Sequence, residues 1–97
     1  MLDTKLINQS TLVNQAKGAI VSDMAGEKVM LSVQNGKYYN LGNIGGAIWD
    51  YIESPLSVIE LVQKLKEVFE VDTEECNKEV TIFLEQLYSE GLIEIKN

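Results

Sequence analysis

The chain has no histidine and a single cysteine, Cys76. Without histidine, the commonest metal ligand and the commonest general base are missing. One thiol forms neither an intramolecular disulfide nor a cysteine-built metal site. The expectation is therefore a chain without catalysis, metal or cofactor. Long apolar runs are missing too: none approaches the ~20 residues of a membrane span. The stretch Met1-Leu2-Asp3-Thr4-Lys5-Leu6 also lacks the basic-then-apolar layout of a signal peptide. A cytoplasmic protein without membrane contact is expected. Positive charge is scarce, with 8 Lys+Arg against 15 Asp+Glu and a net charge of −7. Such a field repels phosphate backbones and acidic lipid and favours a neutral or basic partner.

What is present describes an ordinary globular chain, 45% hydrophobic and 24% charged over 97 residues. That length suits one domain, 1–97, and no repeat, low-complexity tract or linker interrupts it. Residues 1–10 show no clear period and read as a loose lead-in. Leu12 and its neighbours over 11–16 form a weak candidate strand, and Ala19 to Met24 a better one that ends in the turn-like Ala25-Gly26.

The organising stretch runs from Val29 to Leu41. Asn35-Gly36 is a strong hairpin signal, because both central positions of a type I′ turn need positive φ. A two-residue loop sets Val33 opposite Tyr38, Ser32 opposite Tyr39, Leu31 opposite Asn40 and Met30 opposite Leu41. One face then carries Met30, Tyr39 and Leu41, and the other Val29, Leu31, Val33 and Tyr38. A tight turn at Ala25-Gly26 sets Asp23 against Lys28 and Val21 against Met30, which completes a three-stranded antiparallel meander. Its last strand, 37–41, is an edge. Exposed edges invite another strand unless Pro, bulges or charges blunt them, and only Lys37 does so here.

From Gly42 the hydrophobic period changes from 2 to 3.6. Ile44, Ala47, Ile48, Tyr51 and Ile52 mark a first helix over about 43–53 with Asn43 as N-cap. Gly45-Gly46 weakens that helix, and close approach to the sheet is the expected compensation. After Pro55, Ser57-Val58-Ile59-Glu60 is a capping box, followed by the stripe Val58, Leu61, Val62, Leu65, Val68 and Phe69. A third helix starts at Asp72, with Glu75 completing a second box and Cys76, Val80, Phe83, Leu84 and Leu87 as its stripe. Gly91 stops it, and Leu92 to Ile95 is a short closing strand. The fold class is α+β, winged helix-turn-helix-like, with the meander followed by three helices.

The order Asp23-x-x-Gly26-Glu27, Val29-Met30-Leu31, Gly36-x-Tyr38-Tyr39-x-Leu41, Gly46-Ala47-Ile48-Trp49, Leu61 to Phe69 and Phe83-Leu84-x-x-Leu87-x-x-x-Gly91-Leu92-Ile93 resembles the PqqD family over roughly 18–95. Its members are recognition elements for ribosomally made precursor peptides. The free-standing form of lasso peptide biosynthesis is the most similar. The resemblance implies that a leader peptide adds as a strand to the last strand of the meander and lies in the cleft beside the third helix. Carried over, the site is Lys37, Tyr38, Tyr39, Asn40 and Leu41, with Cys76, Glu79, Val80 and Phe83 as the helix wall. The implied partners are the leader peptide, a cysteine protease that removes it and an ATP-dependent cyclase. Lasso leaders of this kind offer a Tyr and a Pro a few residues apart, and an apolar groove suits both.

Plainer readings compete at several positions. Tyr39 and Leu41 share a face with Met30 and suit a core; Trp49 sits on an inward-packing helix; Cys76 heads an apolar stripe with no histidine to activate it. The alternative function is a winged-helix nucleic-acid binder or regulator, whose last helix would carry basic residues to the duplex. Here that helix carries Glu74, Glu75, Glu79, Glu85 and Glu90 against Lys78 alone. An enzyme has no nucleophile-base pair, metal cluster or phosphate loop to support it; Gly42-Asn43-Ile44-Gly45-Gly46 lacks the P-loop lysine.

Overall fold

Alternation in the strands and two well-capped helices produce two small sheets clasped around a helical core. The computed structural model describes residues 7–17, 19–24, 27–33 and 36–96. Strand β1 is Leu12–Gln15, β2 Ala19–Met24, β3 Glu27–Ser32 and β4 Lys37–Asn40. Helix α1 spans Gly42–Tyr51, the two-residue β5 Leu56–Ser57, α2 Val58–Val68, α3 Thr73–Ser89 and β6 Ile93–Lys96. One sheet has the order β2-β3-β4 and the other β5-β1-β6. Among the described residues no helix is long and apolar enough to cross a membrane.

The meander pairs as the alternation requires on one side, with Val21 opposite Met30 and Asp23 opposite Lys28. The expected turn residues Ala25-Gly26 lie outside the described residues. On the other side the register differs from the two-residue hairpin. Ser32 faces Lys37, Leu31 faces Tyr38, Met30 faces Tyr39 and Val29 faces Asn40, so four residues rather than two separate the paired positions. Only Gly36 of the expected Asn35-Gly36 pair is described; it has φ 69° and its N–H donates to the Ser32 carbonyl at 2.7 Å. A slip of two residues restores side-chain parity, so the faces survive although the partners change. Met30 is fully buried on the inner face, while Tyr38 is 73% exposed on the outer one.

The second sheet answers what the amino-terminal stretch is for. β1 pairs antiparallel with β6 (Val13 opposite Ile95) and with β5 (Leu12 opposite Ser57). Residues 7–10, expected as a loose lead-in, form a turn in which Asn8 and Thr11 bond each other, and Ile7 is buried. The carbonyls of Gln9 and Thr11 accept from Ile59 and Val58 at 3.1 and 3.2 Å, which satisfies two of the orphan donors at the start of α2. At the end of α1 the orphan groups are acceptors, and the Gln15 side-chain amide donates to the Trp49 carbonyl at 2.7 Å.

Asn43 does not cap α1. The N-cap is Leu41 and makes no side-chain cap bond; instead the Asn40 side chain accepts from the Gly42 N–H at 3.0 Å, with Gly42 at φ 72°. The glycine pair permits two close approaches. A Cβ on Gly46 would sit 3.3 Å from the Lys28 stem on β3, whereas one on Gly45 would sit 3.2 Å from the Phe83 ring on α3. Only the first is an approach to the sheet. Trp49 and Ile48 are buried core residues.

α2 opens with the complete Ser57/Glu60 capping box, whereas Asp72 caps α3 through the Glu75 N–H without a return bond from Glu75. Val68, expected on the apolar stripe, is 64% exposed because α2 ends there. A left-handed Gly91 stops α3. The Gly91 N–H donates to Tyr88 and the Leu92 N–H to Leu87, the paired bonds of a Schellman stop.

The box carries a pH signature. Hydrogen bonds from the Ser57 backbone and hydroxyl hold the Glu60 carboxyl below the usual carboxylate range. Its contribution to stability is therefore present above the unfolded-state value and lost as pH falls through the folded one. Ser57→Ala is expected to cost about 1 kcal/mol at neutral pH. Urea titrations should show that cost shrinking on acidification.

Candidate functional site

β4 is the open edge of its sheet. The Leu41 N–H donates to the Lys28 carbonyl at 2.9 Å, so in the alternating antiparallel ladder Lys37, Tyr39 and Leu41 turn their backbone groups toward β3. Tyr38 and Asn40 therefore turn theirs away. Among the described residues nothing meets those outward backbone groups. The Asn40 side chain is occupied, donating to Glu27 at 2.8 Å, which leaves the main chain as the free element.

A groove of about 610 Å³ runs between this edge and the carboxyl-terminal half of α3, lined by Tyr38, Tyr39, Asn40, Leu41, Phe83, Gln86, Leu87, Ser89 and Glu90. Lys37 stands at its end, with Nζ 3.7 Å from Glu90. The Tyr39 hydroxyl is buried and meets no partner at hydrogen-bond geometry among the described residues. Burial, and then the neighbouring Glu90 carboxylate, push its pKa up.

A second cleft of about 440 Å³ opens between α1 and the amino-terminal half of α3, lined by Leu41, Ile44, Gly45, Ile48, Val71, Asp72, Glu75, Cys76, Glu79, Val80 and Phe83. Leu41 and Phe83 line both hollows, so together they make one trough. The residues expected from sequence divide between its halves. Tyr38, Tyr39 and Asn40 lie on the groove, Cys76, Glu79 and Val80 on the cleft, and Lys37 lines neither. Sequence reasoning missed the α1 contribution, Ile44, Gly45 and Ile48, and the groove wall at Gln86, Leu87 and Glu90. The latter were within reach, since positions three, four and seven beyond Phe83 share its helix face.

The arrangement suits binding, with main-chain groups at the edge and side chains along the walls. Cys76 is buried, and burial first, then Glu79, push its thiol pKa up, which leaves it a poor nucleophile. Among the described residues no group of three or more cysteine and carboxylate side chains is placed to hold a metal ion.

The family described as Coenzyme PQQ synthesis protein D (PqqD) matches residues 27–93, well over half of the chain. The chain belongs to the PqqD family. Two solved structures show the same fold. "TbiB1 in Complex with the TbiA(beta) Leader Peptide" is 25% identical with a TM-score of 0.73, covering 84% of this chain and 94% of that one. "Lasso peptide synthetase B1 complexed with the leader peptide" is 17% identical with the same TM-score, covering 84% and 96%. The comparison with curated protein sequences finds no match. Against these PqqD-like folds the winged-helix likeness is loose. The antiparallel strands come first, and α3 presents carboxylates where a reading helix presents cations.

Proposed function

We propose that this PqqD-family chain binds the leader segment of a ribosomally made precursor peptide in lasso peptide biosynthesis, without catalysing a reaction itself. The leader adds as a fourth strand to β4. The outward groups of Tyr38 and Asn40 supply main-chain hydrogen bonds, and the trough walls take its side chains. The observation that carries this reading is the unpaired edge of β4 facing a groove walled by α3, in a fold whose solved examples hold leader peptides.

The proposed work is delivery. Holding the leader raises the effective concentration of the attached core peptide at the enzymes that act on it. Those are a cysteine protease that cuts the leader away and an ATP-dependent cyclase that closes the ring. Both act in the cytoplasm, where the precursor is translated. Titration with the cognate leader peptide tests the proposal. Saturable binding by fluorescence anisotropy is the expected result, and a folded domain that shows none overturns it.

A further inference from the structure

An edge strand takes a guest well only if its outward groups already lie in ladder geometry when the guest arrives; otherwise the entropy of ordering them is lost from the affinity. β4 is short, four residues with one neighbouring strand. Its second outward residue, Asn40, is also its last, and beyond it the chain turns through Leu41 and the left-handed Gly42 into α1. Strand ends of this kind are the first part of a ladder to open.

Two sets of bonds fix that end. On the inner face the Leu41 N–H donates to the Lys28 carbonyl, and the Lys28 ammonium lies 3.3 Å from Asp23 on β2 and 3.5 Å from Asp50 on α1. On the outer face the Asn40 side chain is held from both sides. Its Oδ1 accepts from the Gly42 N–H at 3.0 Å, an Asx turn that leads the backbone out of the strand. Its Nδ2 donates to Glu27 Oε1 at 2.8 Å, a charge-assisted bond that sets which way the amide points. Asn40 stands opposite Val29, so Glu27 is its diagonal neighbour on the same face, within reach of a long side chain. Glu27 itself is exposed, lines neither hollow of the trough and joins none of the described ion pairs.

We propose that Glu27 is a positioning residue for the peptide site: acting through the Asn40 side chain, it holds the outward backbone of Asn40 ready for an incoming strand without touching that strand. The inference rests on the reading that a leader adds to β4. With the Glu27 bond gone, the Asn40 amide is free to rotate, the turn at Gly42 loosens and a smaller fraction of molecules presents the edge correctly. Apparent affinity falls by that fraction. Association slows, because fewer encounters meet a ready edge, whereas the complex once formed keeps its contacts and its lifetime. A residue in direct contact with the peptide acts mainly on dissociation instead.

The test measures association and dissociation of the cognate leader peptide by biolayer interferometry, each variant first shown to unfold cooperatively. Glu27→Ala should bind roughly fivefold more weakly, with the loss in the association rate. Glu27→Gln keeps an acceptor for the Asn40 amide without the charge, and should bind within about twofold of the wild type. Asn40→Asp keeps the Gly42 bond and cannot donate to Glu27, so it should lose at least as much as Glu27→Ala, and combining the two should add nothing. A Glu27→Ala protein that binds like the wild type, or whose loss lies in dissociation, overturns the positioning role and leaves strand addition standing. So does a Glu27→Gln protein as weak as Glu27→Ala, since charge rather than the bond is then at work. If the folded wild type shows no binding, strand addition falls and the role of Glu27 with it. Should Glu27→Ala not fold, Asn40→Asp carries the same comparison.

Discussion

Tyr38→Pro is expected to weaken leader binding roughly tenfold or more while leaving the domain folded. The outward backbone of Tyr38 makes no bond to β3, so proline there removes a donor that the domain itself does not use. The ladder keeps its bonds through Tyr39 and Leu41. An incoming strand, however, loses one main-chain bond and meets a ring where it must approach closely. Asn40→Pro should act the same way, with an added cost, because the Asn40 side chain holds Gly42 at the start of α1 and Glu27 at the start of β3. A reversed charge on the exposed face of α2, such as Glu67→Lys, should change affinity far less. Calorimetric titration of the three variants separates the cases, and equal losses would rule out strand addition.

Removing residues 1–16 should abolish the folded state. Ile7 and Val13 are almost completely buried, and burial of side chains of this size contributes about 2 kcal/mol each. The truncation also unpairs β6 and strands the amides of Val58 and Ile59, whose acceptors are Thr11 and Gln9. Against a typical stability of about 5–15 kcal/mol these losses together are decisive. Far-UV circular dichroism and amide proton dispersion should both report an unfolded chain. A truncated protein with cooperative unfolding would show that β1 is dispensable. The matched family region, 27–93, excludes β1 and β2, so those boundaries do not mark a folding unit.

What could be read in the sequence was what depends on neighbours in the chain. The Ser57-x-x-Glu60 box, the Asp72 cap, the Gly91 stop and the 3.6-residue stripes are all local, and each appears near its expected place. The β2–β3 register followed from a short connection between alternating strands. The β3–β4 register did not, because Asn35-Gly36 favours a two-residue loop while the chain closes a longer one and still keeps Tyr39 inward. The second sheet left almost no local signal. β5 has two residues, and β1 finds its partners more than forty positions away, where neither periodicity nor turn chemistry connects them. The site was half legible for the same reason. The edge and the α3 stripe are sequence patterns, but the α1 wall of the cleft exists only because Gly45 lets Phe83 come close.

Both hollows of the trough share a single 17-residue helix as one wall, roughly 25 Å of rigid rod. Such a rod works as a ruler. It fixes the distance from the last paired position on β4 to the floor between α1 and α3, whatever sequence is laid along it. Lengthening a guest by one residue between those points would turn each following side chain to the opposite face, whereas extra residues outside them would pass unnoticed. Under the proposed strand addition, the peptides bound here should therefore differ freely in overall length yet share one invariant interval.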